Sequence, residues 1–418
     1  MTMKKYVLFS VLLAIFFSAC IDPEQLQVKT EEVSAGLPSQ IVLTWQQDPS
    51  TTMTITWRAD GPDEKAVLRF ADDPEARSRR WTAVTAHSFS FDETDALLHT
   101  VELTGLEPDM EYYVVIENPF FPESFSFRTL PAHSDKREIV FLAGGDSRSR
   151  RDVRREMNQM AASENPDFII FAGDYISGPL SEREWDEWFD DWHELMITEE
   201  GRRIPIITAI GNHEVHGGFF QTPDKAPYFY NRFITPQPRN YYALELTPDL
   251  VLITLDSDHT MGVPEQTQWL EKTLAENKDK KWKLVQYHVA AWPSVRNMND
   301  TIPRMIREHW VPLFEKYNVN LVIEAHDHAF KKTVPIRDNQ RDDEHGIIYI
   351  GDGGWGAPIR QTKDPAMHWW LDEAFAADHY WKLILSKDAT HLRVEPVFRP
   401  PARSFVLGAE EENDKNNW

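Results

Sequence analysis

Five apolar runs in this chain end in residues of metal-binding type. Residues 139–143 lead into Gly144-Gly145-Asp146-Ser147-Arg148, 168–172 into Gly173-Asp174, and 204–210 into Gly211-Asn212-His213-Glu214. Residues 283–287 lead into His288, and 319–323 into Glu324-Ala325-His326-Asp327-His328. Aspartate brings charge that offsets cations and two oxygens able to bridge a pair of them. Asn212 brings a neutral oxygen, and histidine a nitrogen suited to zinc, iron or manganese. Glycines before Asp146 and Asp174 permit sharp exits and close approach of backbone to an ion. His326 and His328 are two apart, so in extended backbone they face one side, each toward a different metal of a close pair. A lone Gly-Asp is a turn and a lone His-x-His is surface; five such endings, each after a strand, describe a site.

Such endings need elements to carry them. From residue 138 onward apolar runs alternate with helical stretches near 152–162, 181–196, 264–274 and 303–317, which means an α/β domain. In such sheets ligands gather outside the carboxyl ends of the strands, where the five endings fall. Ser181-x-x-Glu184 reads as a capping box. Trp185, Trp188 and Trp192 then share one helical face, as core or as a lid wall. Residues 211–249 read as a long irregular loop, followed by a strand at 250–255. His216, Tyr242, Asp256, Asp258 and His259 lie near the motifs, the aspartates most simply as loop caps. Gly351-Asp352-Gly353-Gly354-Trp355-Gly356 follows a strand at 347–350 but lacks the Lys-Ser/Thr and the helix of a nucleotide loop. It reads as a turn at the cleft rim, with Trp355 as a substrate wall. Residues 380–385 and 392–397 read as two final antiparallel strands.

The preceding ninety or so residues contain short strands and no helix: 41–45, 53–57, 66–70, 99–103, 112–117 and 124–129, separated by turn signals such as Asp60-Gly61-Pro62. That pattern predicts a β-sandwich. At the start, Lys4 and Lys5 precede an apolar run from Tyr6 to Phe17 and then Ser18-Ala19-Cys20. This reads as a secretory signal whose run is too short to span a bilayer.

The 418 residues carry 44 Lys+Arg against 67 Asp+Glu, a net charge of −23, so a protein that grips a nucleic-acid backbone by a basic surface is not expected. A single cysteine excludes a disulfide framework and a cysteine-based zinc cluster. The negative field repels anionic substrates at long range, so attraction must be local.

The order Asp, Gly-Asp, Gly-Asn-His-Glu, His, His-x-His resembles the calcineurin-like metallophosphoesterases, the group that includes purple acid phosphatases. The resemblance covers roughly residues 138–397. It implies a four-layer α/β/β/α catalytic domain and hydrolysis of phosphoric esters, mono- or diesters, by a metal-activated hydroxide. The implied cofactors are two divalent or mixed-valence ions of iron, zinc or manganese. Carried over, Asp174 bridges the two metals, Asp146 and His328 hold the first, and Asn212, His288 and His326 complete the second. His213 faces the substrate as phosphate ligand or acid, and Glu214 supports it. Gly105-Leu106-Glu107-Pro108 before Tyr112 resembles the tyrosine corner of fibronectin type III sandwiches of immunoglobulin-like architecture. Phe17-Ser18-Ala19-Cys20 resembles a bacterial lipobox, implying lipid attached at Cys20 and an exported, membrane-anchored protein.

Three positions depart from the family pattern. Arg148 replaces the histidine many members carry two residues after the first aspartate. Ser177 stands where purple acid phosphatases place a ligand tyrosine, so no charge-transfer colour is expected, and Tyr175 points elsewhere. Ala325 replaces a glycine. The first metal is left with Asp146, Asp174 and His328. Arg148 either enters the cleft as a phosphate ligand or pairs with a nearby carboxylate. The expected organisation is a signal peptide over 1–19, a tether over 20–38, the sandwich over 39–131, the catalytic domain over 135–400 and an acidic tail over 401–418. The expected partner is a phosphate-ester small molecule. The competing reading is a surface lipoprotein binding module with a residual metal site, which the departures permit and the retained ligand types oppose.

Overall fold

The computed structural model describes residues 36–59, 66–75, 77, 80–118, 122–133 and 136–400. The expected signal peptide, Cys20, most of the tether and the acidic tail lie outside the described residues. Among the described residues, no helix is long and apolar enough to cross a membrane.

The N-terminal part is a sandwich of two four-stranded antiparallel sheets. Its strands are β1 (Ser39–Thr44), β2 (Met53–Arg58), β3 (Val67–Ala71), β4 (Thr82–Thr85), β5 (His87–Phe91), β6 (Thr94–Leu103), β7 (Glu111–Ile116) and β8 (Glu123–Arg128), in sheet orders β1-β2-β6-β5 and β4-β3-β7-β8. β4 and β5 were not expected, because their largely exposed residues carry little apolar signal. The N–H of Glu107 donates to the Tyr112 hydroxyl at 2.8 Å, closing the corner between sheets.

The second part runs β9 (Ile139–Gly144), α1 (Arg151–Ser163), β10 (Phe168–Phe171), α2 (Glu182–Leu195), β11 (Ile206–Thr208), α3 (Pro227–Arg232), β12 (Tyr242–Thr247), β13 (Leu250–Thr254), α4 (Val263–Glu276), β14 (Trp282–Val289), α5 (Thr301–His309), α6 (Val311–Lys316), β15 (Leu321–Ala325) and β16 (Phe330–Thr333). A small hairpin of β17 (Ile336–Arg337) and β18 (Gln340–Arg341) precedes β19 (Ile348–Gly351), β20 (Leu371–Phe375), β21 (His379–Leu385) and β22 (Leu392–Phe398). Two mixed sheets result, ordered β11-β10-β9-β21-β22 and β12-β13-β14-β15-β19-β16-β20.

Period-two alternation sorts these strands into four layers. Phe141, Ala143, Phe168 and Ile170 face the same core as Leu252, Leu284, Leu321 and Ile323 of the other sheet. Their neighbours Leu142, Ile169 and Phe171 pack outward against Val153, Met157 and the tryptophans of α2. Val251, Ile253, Val285 and Val322 pack outward against Leu270, Ile306 and Phe314 of α4–α6. The central strands of each sheet are therefore buried on both faces, between the partner sheet and the sheet's own helices, while the edge strands β20 and β22 are largely open.

The helix expected over 303–317 is broken at Trp310. Pro312 opens α6 and cannot donate back to the carbonyl four residues earlier. The segment 211–249, expected to be an irregular loop, holds α3 and β12. Trp355 is not a rim wall: it is fully buried, edge-on to Phe171 and tilted against Tyr380, with its Nε1 donating to Asn158 at 2.7 Å.

The sandwich shares a core with the catalytic layers. Ile41, Leu43 and Trp45 of the sandwich belong to one apolar cluster with Phe141 and Phe168, and Trp45 meets Phe168 edge-on at 6.0 Å. Arg58 pairs with Asp186 at 2.7 Å, and Gln40 links Asp190 (3.0 Å) to Arg232 (2.7 Å) across the seam.

Candidate metal centre

The parallel strands β9, β10 and β11 of one sheet and β14 and β15 of the other deliver the five endings to one edge. Hydrogen bonds stitch that edge across the two sheets. The Asp146 N–H donates to the Gly173 carbonyl at 2.9 Å, the His326 N–H to Asp146 Oδ2 at 2.8 Å, and His288 Nδ1 to the Ala172 carbonyl at 2.7 Å.

Two donor groups form there and share one residue. Asp174, His288 and His326 make the first, and Asp146, Asp174 and His328 the second; within each, one ligand atom per residue lies within 4.8 Å of the others. Asn212 joins the first, with Oδ1 3.2 Å from His288 Nε2, which in turn lies 3.0 Å from His326 Nδ1 and 3.3 Å from Asp174 Oδ1. The six residues named from the sequence thus converge.

The imidazoles are oriented by backbone. A carbonyl only accepts, so His288 Nδ1 carries a proton for Ala172 and its Nε2 is the atom turned into the cluster. His328 Nδ1 likewise donates to the Pro358 carbonyl at 3.1 Å, and its Nε2 faces Asp146 Oδ1 at 3.0 Å. Both of those facing atoms are buried and neither makes a hydrogen bond. Opposed orphan acceptors of this kind are uncompensated unless a cation sits with them. Two carboxylates, three imidazoles and an amide oxygen form a donor set for borderline transition metals.

Burial opposes charge on Asp174, but the His288 imidazole, with His213 and His326, holds it well below the ordinary carboxylate range. His288 is pushed down by burial and up by Asp174 and Asp146; the carboxylates win and lift it to about 9. His326 is driven well below its ordinary value by burial and by His288.

The expectation that His326 and His328 share a side in extended backbone is corrected. β15 stops at Ala325, and both residues lie in the left-handed region, at φ 78° and 57°. A tight turn, not a strand, sends them to different groups. Asp146 and Asp174 are left-handed too, at φ 57° and 59°. Such backbone costs roughly 1–3 kcal/mol per residue and concentrates at functional sites. Gly173 makes room for it: at φ 94°, a Cβ there would lie 2.8 Å from Gly211 Cα and 2.9 Å from His288 Nδ1.

His213 stands at the open side, its side chain 27% exposed. Its Nδ1 donates to the Ser177 carbonyl at 2.8 Å, leaving Nε2 3.9 Å from Asp174 Oδ2. Glu214 is fully buried and accepts three backbone N–H bonds, from Asp174 (2.8 Å), Tyr175 (2.8 Å) and Gly211 (2.7 Å). Burial and the Asp174 charge push its carboxyl up to about 8 against those donors. Arg148 places Nε 3.5 Å from Asp174 Oδ2, so the carboxylate it pairs with is itself in the cleft. Ser177 contacts Ser149, Oγ to Oγ at 3.2 Å. Tyr175 points into the core, its hydroxyl donating to the carbonyls of Phe171 and Ala209.

Other positions resolve as structure. Asp256 caps its loop through the N–H groups of His259 and Thr260. His259 is buried 5.4 Å from the His288 ring and pushed down to about 3 by burial and His288. His216 is exposed.

Three supports escaped sequence reading. Glu184 does not close the capping box on Ser181. It accepts from the N–H groups of Ser177 (2.7 Å) and Gly178 (3.1 Å), bracing the loop that holds His213. Gly353 packs under Asp146, where a Cβ would lie 1.7 Å from Oδ2. Phe219 turns its edge to the His326 ring at 6.0 Å. None has a local sequence signal, since each acts through contacts between distant segments.

Residues 38–129 match the family described as the purple acid phosphatase N-terminal domain, and residues 111–330 match calcineurin-like phosphoesterase. The second match begins inside the last sandwich strands and ends before β19–β22. A relative in Arabidopsis thaliana, Fe(3+)-Zn(2+) purple acid phosphatase 12, is 23% identical over 347 residues, covering 76% of this chain and 72% of its own length. An uncharacterized protein of Mycobacterium tuberculosis is 26% identical over 343 residues, covering 71% of this chain but only 62% of the relative. Among solved structures, purple acid phosphatase PPD1 of yellow lupin superposes with a TM-score of 0.73 at 18% identity, over 86% of this chain and 72% of that one. PhoD superposes with a TM-score of 0.65 at 12% identity, over 86% and 89%.

Proposed function

The chain belongs to the calcineurin-like phosphoesterase family, and from that premise we propose that it hydrolyses phosphoric esters of small molecules with two metal ions as cofactors. Asp146, Asp174 and His328 would hold one ion; Asp174, Asn212, His288 and His326 the other. The observation that carries this reading is that two buried donor groups share Asp174. Iron, zinc and manganese suit the donors, and Ser177 offers no phenolate to colour an iron site. Bound there, the cations supply charge neutralisation and acidify water.

The remaining chemistry falls to this chain's own groups. The two aspartates offset the cationic charge. Arg148, beside Asp174, orients the phosphate, since a guanidinium matches its oxygens in bidentate fashion. His213, fixed at Nδ1 by Ser177, presents Nε2 to the leaving oxygen and delivers the proton it needs. Glu214 keeps the loops of Asp174 and Asn212 in register through its three N–H bonds.

Metal analysis of the Asp174→Asn protein beside turnover of aryl phosphate mono- and diesters tests the assignment. Metal and activity should fall together. Full metal content with full turnover would refute the shared role of Asp174.

The lipobox-like end Phe17-Ser18-Ala19-Cys20 supports export and anchoring by lipid on Cys20. Cys20→Ala should move the protein from the membrane fraction to the soluble one.

A further inference from the structure

Between α1 and α2, beside the loops that leave β9 and β10, lies a cavity of about 250 Å3. Ser149 and Ser177 form one wall of it, with their hydroxyls 3.2 Å apart. Both serines are bonded to residues of the site described above. The Ser177 carbonyl takes His213 Nδ1 at 2.8 Å, and the Ser149 hydroxyl takes Arg148 Nη1 at 3.2 Å. Arg148 in turn lies 3.5 Å from Asp174 Oδ2. The cavity therefore begins one hydrogen bond away from the groups assigned to the phosphate and the leaving oxygen. Ser149 is also held in the left-handed region, at φ 79°, a backbone that is costly for serine and concentrates at functional sites. The volume falls just below the roughly 300–1,000 Å3 of sites that enclose a whole small molecule, so it suits one part of a substrate.

The rest of the lining is charged but internally paired. Arg151 and Arg154 both bind Asp191, at 2.9 and 2.6 Å, and Asp191 is fully buried behind them. Arg183 pairs with Glu187 at 2.9 Å, and Glu184 takes the N–H groups of Ser177 and Gly178. The three arginines thus stand with three carboxylates, and an anion entering there would compete with carboxylates already in place. An apolar group would gain little, since Ile176, the apolar residue of the lining, is 1% exposed. A neutral hydroxyl meets a different surface. Serine hydroxyls both donate and accept, and a guanidinium and a carboxylate keep further donors and acceptors after pairing with each other.

We propose that this cavity receives the alcohol side of the ester, and that the preferred class is the phosphate of a neutral, hydroxyl-rich alcohol, a short polyol or a sugar. The inference rests on the phosphoesterase reading above, in which His213 meets the leaving oxygen. Ser149, Arg183 and Glu187 are then specificity determinants, outside the bond-breaking step.

The test is kcat/KM of the metal-loaded protein on two matched pairs: glycerol 1-phosphate against propyl phosphate, and sorbitol 6-phosphate against hexyl phosphate. The members of each pair share a carbon number and differ in hydroxyls. In at least one pair the wild-type chain should favour the polyol ester about tenfold or more, the gain of one or two net hydrogen bonds. Arg183→Ala, at a side chain 73% exposed, or Glu187→Gln should reduce that ratio to about threefold or less. Leaving-group acidity is common to all the proteins, so the change in ratio reads the cavity. Equal rates within both pairs overturn the proposal, as does a ratio that both variants leave unchanged. A tenfold advantage of 3-phosphoglycerate over glycerol 1-phosphate would give the cavity to an anion and overturn the neutral class. Turnover of p-nitrophenyl phosphate separates the two readings. Turnover without a polyol preference removes the role of the cavity and keeps the phosphoesterase; no turnover of any ester overturns both.

Discussion

His213 has Nδ1 committed to backbone and Nε2 facing Asp174 at 3.9 Å, and its proposed role rests on that asymmetry. With Nδ1 held by Ser177, Nε2 is the ring atom that faces the cleft. Replacing it with Ala should cost about 100- to 10,000-fold in kcat for an alkyl phosphate and much less for p-nitrophenyl phosphate, whose leaving group needs no proton, with metal content intact. An equal loss on both esters would assign His213 to phosphate binding instead. Glu214 acts on backbone, and a glutamine in its place keeps one acceptor oxygen for three N–H donors. Glu214→Gln should therefore destabilise by about 1–3 kcal/mol in a denaturant titration as well as lower activity. Gly353 is the sharpest steric test. Its Cβ would overlap Asp146 Oδ2, so Gly353→Ala should displace that carboxylate and lower the bound metal stoichiometry while the far-ultraviolet spectrum is retained.

At the scale of elements, α2 works on both of its sides. Trp185, Trp188 and Trp192 pack under β10, and Trp188 also donates to Ser147 at 2.8 Å, next to Arg148. Trp188→Ala should cost about 3–5 kcal/mol. The other side meets the sandwich, where the Ile41 N–H donates to His193 Nδ1 at 3.2 Å. Burial, with Arg203 beside it, pushes His193 from 6.5 down to about 3. A histidine depressed in the fold stays neutral while the unfolded chain takes up a proton below pH 6.5, so the unfolded state binds more protons there. Its contribution is present above that pH and is lost progressively as pH falls toward 3. Thermal melting between pH 7 and pH 4 should show a falling midpoint, and His193→Gln should flatten that fall. An unaltered slope would mean that His193 is not the acid-sensitive group of this seam. The helix was legible from its tryptophan spacing. The destination of Glu184 was not, because a capping box and a loop brace share the same local sequence.

For the whole molecule, the sandwich completes the catalytic layers instead of hanging from them. Ile41, Leu43 and Trp45 close the core that contains Phe141 and Phe168, so the segment 135–400 expressed alone should aggregate or melt well below the full chain. A soluble fragment with unchanged melting would show that the shared cluster is dispensable. Much of this architecture was readable in advance: buried strands announce themselves as apolar runs, and the metal-type residues follow them directly, so type, order and strand-end position were all local facts. What depended on distant pairs was not readable. The chain alone determined that aspartates, an asparagine and histidines would arrive at one sheet edge. Only the tertiary structure decided that His326 and His328 part company through left-handed backbone, that Trp355 is core and that Gly353 makes room for Asp146. Side-chain type and periodicity are properties of neighbours in sequence, whereas direction, clearance and charge pairing are set by residues hundreds of positions apart.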